Sequence, residues 1–194
     1  MLDRPETKER VRQAIQPLVR ILVRLRLTPN VLTVTGVVLN GLVGLIIAMG
    51  LAQLGGVLLI FTSAFDMLDG ALAKAQNKVT TFGAFLDSTM DRYSEAFVLA
   101  GLLWLAIQRG LTVDVMLIYT VIVGSLLVSY TRARAEGLDL DCRVGLLGRP
   151  ERIAVLCLGL MLNLVTVALI ILAIFTHVTA LQRILHVRRA SAGR

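Results

Sequence analysis

"FDMLDGALAKAQNKVTTFGAFLDSTMD" occupies residues 65–91, inside a chain that is otherwise strongly apolar. It sets four carboxylates, Asp66, Asp69, Asp87 and Asp91, into or beside long hydrophobic segments. A charged side chain near a bilayer centre costs several kcal/mol, so carboxylates that persist there mark function. Asp66 and Asp69 are three apart and share a helix face. Asp87 and Asp91 are four apart and share one too.

Working outward, the 194 residues are 56% hydrophobic and only 17% charged, with a mean hydropathy of +0.78. That composition points to a polytopic membrane protein. Six spans are predicted near 29–51, 53–76, 82–108, 112–136, 148–163 and 165–187; crossing roughly 30 Å of hydrocarbon takes about 17–25 residues, and the last two spans are each short or overhang the membrane. The last two share one apolar run from Ile153 to Phe175, divided around Asn163. The expected fold is an all-α integral membrane domain over residues 1–194, with an interfacial helix in 1–27 and a six-helix core in 28–190. Thr28 at the helix cap with Pro29 at the first helical position suits the start of the first span.

Lys and Arg set the orientation. Arg4, Lys8, Arg10, Arg12, Arg20, Arg24 and Arg26 precede the first span, and Lys74, Lys78, Arg132, Arg134, Arg143, Arg149, Arg152, Arg183, Arg188, Arg189 and Arg194 fall on the same side. The opposite connections hold Arg109 alone. Both termini are therefore expected in the cytosol, and anionic headgroups rather than nucleic acid answer the basic excess. In residues 3–26, Val11, Ala14, Ile15, Leu18, Leu22 and Leu25 recur at helical spacing between arginines, as in an amphipathic helix lying in the interface, kinked or interrupted at Pro17. The charged first residues hold no cleavable signal. Cys142 and Cys157 form no CxxC pair, and His177 and His186 lie far from the aspartates, which argues against a disulfide or a zinc site.

Both aspartate pairs fall in the cytosolic half of consecutive spans. Four converging carboxylates repel unless protonated or bridged by cations. Oxygen donors without histidine or thiolate suit Mg²⁺, Mn²⁺ or Ca²⁺. Glu95 lies one turn beyond Asp91 and is read as a partner of Arg92 rather than part of the site. Gly70 and Gly83 beside the pairs leave room for a bulky ligand to reach the backbone. Gly41, Gly44 and Ala48 are read as helix-packing residues.

Written as a pattern, the stretch is D-x2-D-G-x2-A-K-x8-G-x3-D-x3-D. It resembles the signature of the CDP-alcohol phosphatidyltransferase family, matching seven of its eight fixed positions at Asp66, Asp69, Gly70, Ala73, Gly83, Asp87 and Asp91. The departure is Lys74, where the family carries arginine; charge is kept and the planar two-pronged grip is lost. The resemblance implies transfer of a phosphatidyl group from a CDP-linked lipid to an alcohol, with release of CMP. It implies two divalent ions, Mg²⁺ or Mn²⁺, held by Asp66, Asp69, Asp87 and Asp91, and makes Asp91 the general base. It assigns contact with CDP-diacylglycerol to Gly70, Lys74 and Thr80, and to Pro29, Asn30, Val31 and Leu32, which open a PN-x2-T-x2-G match running through Thr33 and Gly36. Asn30 suits a helix start equally well.

"SYTRARAEG" (129–137), "GRPERI" (148–153) and "HVTALQRILHVRR" (177–189) resemble the branch of that family that uses inositol 1-phosphate. A phosphorylated acceptor needs its own cationic pocket. Ser129, Arg132, Arg152 and Arg189 are the candidates by motif position, with Arg134 and Arg149 beside them; each arginine also serves the charge asymmetry. Glycerol 3-phosphate is the alternative acceptor, and an ether-lipid donor stays open. A cation carrier is the alternative of another class, although no internal repeat is visible. The resemblance further implies a homodimer, and the charge asymmetry puts the active site of this cell-membrane protein on the cytoplasmic face.

Overall fold

The computed structural model describes residues 16–192, and every regular element among them is a helix. In chain order these are α1 (16–24), α2 (Pro29–Ala48), α3 (Ala52–Ala75), α4 (Thr81–Gln108), α5 (Thr112–Glu136), α6 (Arg149–Met161) and α7 (Val165–Ser191). The Thr28-Pro29 start is placed as the sequence predicts. Most of the expected interfacial helix, residues 1–15, lies outside the described residues.

Helix ends follow one rule from α1 to α6. A residue of positive φ donates its N–H three residues back, and the next residue donates five back. The pairs are Arg26 and Leu27, Gly50 and Leu51, Asn77 and Lys78, Gly110 and Leu111, Asp139 and Leu140, and Asn163 and Leu164. This is the Schellman closure, which satisfies carbonyls that an ending helix leaves orphaned. Glycine enters the left-handed region freely at 50 and 110. Asn and Asp tolerate it through their short polar side chains, and Arg26 has no such help. Leucine follows in five of the six cases, supplying the apolar contact that accompanies the motif.

α2, α3, α5 and α7 are long and apolar enough to cross a membrane by length and composition. α4 has 28 residues but carries Asp87, Asp91, Arg92 and Glu95. α6 has 13 residues and reaches roughly 20 Å. It falls short of the predicted 148–163 because Gly148 caps it in an extended conformation and the Asn163 closure ends it.

Close packing sorts the chain into two units, one of residues up to Gly41 with Phe61–Glu95, the other of Leu42–Ile60 with Ala96 onward. In the first, Val19 and Leu22 of α1 are buried with Leu32, Leu68 and Leu72. Leu18, Ile21 and Leu25 lie exposed, as do Arg20 and Arg24. In the second unit, Ile47, Leu59, Ile118, Leu160 and Leu169 lie in one core. Small residues let its backbones touch: a Cβ on Gly44 would stand 2.4 Å from Phe97 O, and one on Gly101 2.0 Å from Gly44 O. That bears out the packing role read for Gly44.

Candidate active site

Three rungs fix α2 against α3 within the first unit. Thr62 Oγ1 donates to Asn40 Oδ1 at 2.9 Å. A Cβ added to Gly36 would stand 2.5 Å from Asp66 Oδ1. Thr33 Oγ1 donates to Asp69 Oδ2 at 2.7 Å. Residue numbers fall along α2 as they rise along α3, which is one antiparallel register. The i, i+3 spacing of Asp66 and Asp69 thus brings both carboxylates to α2. Asp69 is 8% exposed, and its Oδ1 accepts the Gly70 N–H at 2.5 Å.

Gly70 itself is exposed, and a Cβ there would meet nothing within 4 Å. The open backbone expected beside the pair is present. Lys74 is exposed in the last turn of α3. Asp87 and Asp91 are half-buried on successive turns of α4, with Glu95 a turn further. Thr80 caps α4, accepting the Gly83 N–H at 3.0 Å, a helix-start role beside the one assigned by resemblance. Asn30 Oδ1 lies 3.6 Å from the Cβ position of Gly83, so α4 begins beside the start of α2. Pro29 is half-buried and Val31 exposed, whereas Leu32 is 4% exposed within the core cluster, leaving only its backbone for a ligand.

The donors gathered here are carboxylate and hydroxyl oxygens, the chemistry that a hard divalent cation prefers. Among the described residues, no group of three or more His, Cys, Asp or Glu side chains is set to share one ion. The arrangement is a pair held against α2, with a second pair on α4 in the same unit.

The acceptor candidates lie in the second unit, on three helices. Ser129 is half-buried on α5. Arg132 is exposed, with Nε 2.8 Å from Glu136 Oε1. Arg152 of α6 is buried. Arg189 of α7 is exposed and lines a cavity of about 430 Å³ with Gln182 and His186, facing Val144 to Leu146.

Sequence reasoning missed Arg183, reading it as one more cytosolic charge. It is 6% exposed; Nε donates to Val144 O at 2.9 Å, and a terminal nitrogen donates to Val128 O. Thr179 accepts the Leu147 N–H at 3.1 Å, and His186 Nε2 lies 3.1 Å from Asp141 O. Residues 179, 183 and 186 share a face of α7 and hold the segment 141–147 antiparallel along it. Their i, i+4, i+7 spacing was the available signal. Thr33 was also passed over; it stood in the quoted PN-x2-T-x2-G match without a role.

A family model described as CDP-alcohol phosphatidyltransferase matches residues 26–182. The archaetidylinositol phosphate synthase of Pyrococcus horikoshii is 33% identical over 183 residues, covering 94% of this chain and 95% of its own. The solved structure of Mycobacterium tuberculosis phosphatidylinositol phosphate synthase with CDP-DAG bound is similar at a TM-score of 0.84 and 34% identity, covering 88% of this chain and 92% of that one. The structure of that enzyme with manganese and citrate gives 0.82 and 34%, over 88% and 87% of the two chains.

Proposed function

Because the chain belongs to the CDP-alcohol phosphatidyltransferase family, we propose that it transfers the phosphatidyl group of CDP-diacylglycerol to inositol 1-phosphate, giving phosphatidylinositol phosphate and CMP. One observation carries the reaction class: two carboxylates locked on one face of α3, beside a backbone left open at Gly70. The acceptor rests on the relatives. Those named for archaetidyl and for phosphatidyl products differ in the lipid and share inositol phosphate.

Asp66, Asp69, Asp87 and Asp91 hold two divalent ions, Mg²⁺ or Mn²⁺; the manganese in the tuberculosis enzyme's structure supports the metal class. When bound, such ions neutralise the diphosphate and stabilise the departing CMP. Pro29 to Leu32, Gly70, Lys74 and Thr80 border the CDP-lipid. Lys74 supplies charge without arginine's fork. Asp91 takes the proton of the acceptor hydroxyl. The freed oxygen bonds to the phosphatidyl phosphorus, and the bond from that phosphorus to CMP breaks with its electron pair on CMP. Ser129, Arg132, Arg152 and Arg189 receive the acceptor's phosphate; Arg132 exchanges Glu136 for it. α1 lies in the interface with its arginines toward the headgroups, α4 and the short α6, which covers part of the hydrocarbon thickness, bring the membrane helices to six, and the active chain is a homodimer with its site toward the cytosol. α2, α3 and α4 each run through both units, which suits one domain.

An acceptor panel tests the reading. Purified protein with CDP-diacylglycerol and Mg²⁺ is expected to release CMP with inositol 1-phosphate, and little with inositol, glycerol 3-phosphate or serine. Turnover confined to glycerol 3-phosphate reassigns the acceptor. Metal-dependent ion flux without CMP makes the protein a carrier.

A further inference from the structure

We propose that Thr33 is a positioning residue: its hydroxyl fixes the Asp69 carboxylate in the orientation that receives the divalent cation. This rests on the metal-dependent reading above.

A helical threonine has a default partner, the carbonyl four residues back. Thr35, Thr120, Thr131 and Thr176 all take it, at 2.7 to 2.8 Å. Thr33 stands 3.2 Å from Pro29 O and 2.7 Å from Asp69 Oδ2. A hydroxyl has one hydrogen, and the shorter, charge-assisted bond takes it. Like Thr62 and Thr166, which reach Asn40 and Asp114, Thr33 directs its hydroxyl at a group on another helix, and its local contact is the longer of the two.

The consequence for Asp69 is geometric. One carboxylate oxygen accepts from Thr33 and the other from the Gly70 N–H, so the group cannot rotate freely about its last bond. Each oxygen keeps further lone pairs with which to meet a cation. The register that makes this possible is pinned about two turns away, where Asn40 and Thr62 are both buried and joined. Partners that orient a metal's ligands typically carry about 10- to 100-fold in affinity. Because Thr33 follows the Pro29–Leu32 segment directly, it ties the strip assigned to the nucleotide to the carboxylate assigned to the ion.

The test is Mn²⁺ binding to the purified full chain without CDP-lipid, by calorimetry and by loss of the free-ion paramagnetic signal. Thr33→Val keeps the side-chain shape and removes the hydroxyl; Thr33→Ser keeps the hydroxyl. Val is expected to raise the Mn²⁺ Kd by about 10-fold or more, and Ser to stay within about threefold of the unmodified chain. The metal-free Val and Ser variants should share the thermal midpoint of the unmodified chain to within a few degrees while only Val loses Mn²⁺ affinity, a separation that general loosening of the fold would not give. If Val misfolds, Thr33→Ala and Ser carry the comparison. Equal Mn²⁺ affinity in the unmodified, Val and Ser chains overturns the role of Thr33 and leaves the metal reading intact. An unmodified chain that binds no Mn²⁺ overturns both.

Discussion

At the scale of single residues, two glycines of the α2–α3 hairpin invite the same substitution with opposite outcomes. A methyl group on Gly36 would come to 2.5 Å from Asp66 Oδ1, well inside contact distance, so Asp66 must turn away or the helices must part. Gly36→Ala is therefore expected to lower kcat at least about 10-fold, the scale on which a misplaced reacting group is felt. At Gly70 the same methyl group meets nothing. Alanine is the better helix former by about 0.5–1 kcal/mol. Gly70→Ala should thus keep or raise the thermal midpoint while raising the KM for CDP-diacylglycerol, if the lipid diphosphate approaches through that open space as proposed. Melting curves and initial rates on the two variants decide it. A Gly70→Ala enzyme with unchanged KM would remove Gly70 from the substrate's path.

Among elements, the segment 141–147 is held by α7 rather than by regular structure of its own. Arg183 is its central tie, spending donors on Val144 O and Val128 O. Replacing it by Gln keeps polarity and loses reach. Arg183→Gln is expected to speed amide exchange at the Leu147 N–H, which bonds to Thr179, and to leave exchange in α2 unchanged; mass-resolved hydrogen exchange reads both. Unaltered exchange at 147 would make Arg183 a mere filler of space. Such ties also mark where sequence reading stopped. Helix starts and the two aspartate faces were legible because Pro29 and the i+3 and i+4 spacings act locally. The closures at Arg26 and Asp139 were not, since nothing in their residue types demands positive φ as a glycine would. The α2–α3 register and the Arg183 tie join residues distant in sequence, which a one-dimensional pattern does not encode. The break at Asn163 was legible as well, since the one apolar run from Ile153 to Phe175 is divided there and the backbone closes at that residue.

For the whole molecule, the distribution of Lys and Arg sets the expected topology, with both ends and the connections at 75–81 and 137–147 in the cytosol. Cysteines introduced at 78 or 140 should resist a membrane-impermeant maleimide on intact cells, and one at 111 should react. Cys142 and Cys157 are buried, so the native background is low. Labelling at 78 and 140 but not at 111 would place the proposed site on the wrong face for a cytosolic nucleotide. The Asn40–Thr62 rung bears on how the chain enters the bilayer in the first place. An amide or hydroxyl passing alone into hydrocarbon is penalised by roughly 2–7 kcal/mol, and no water is there to relieve it. α2 brings Asn40, and α3 brings Thr62 together with Asp66 and Asp69. Each helix is apolar enough to cross by length and composition, and each carries a polar group that the other satisfies. The translocation machinery is best served by releasing the two sideways as a closed hairpin, with the rung already made, so that the chain's earliest step in the membrane is also the one that sets its carboxylates in register.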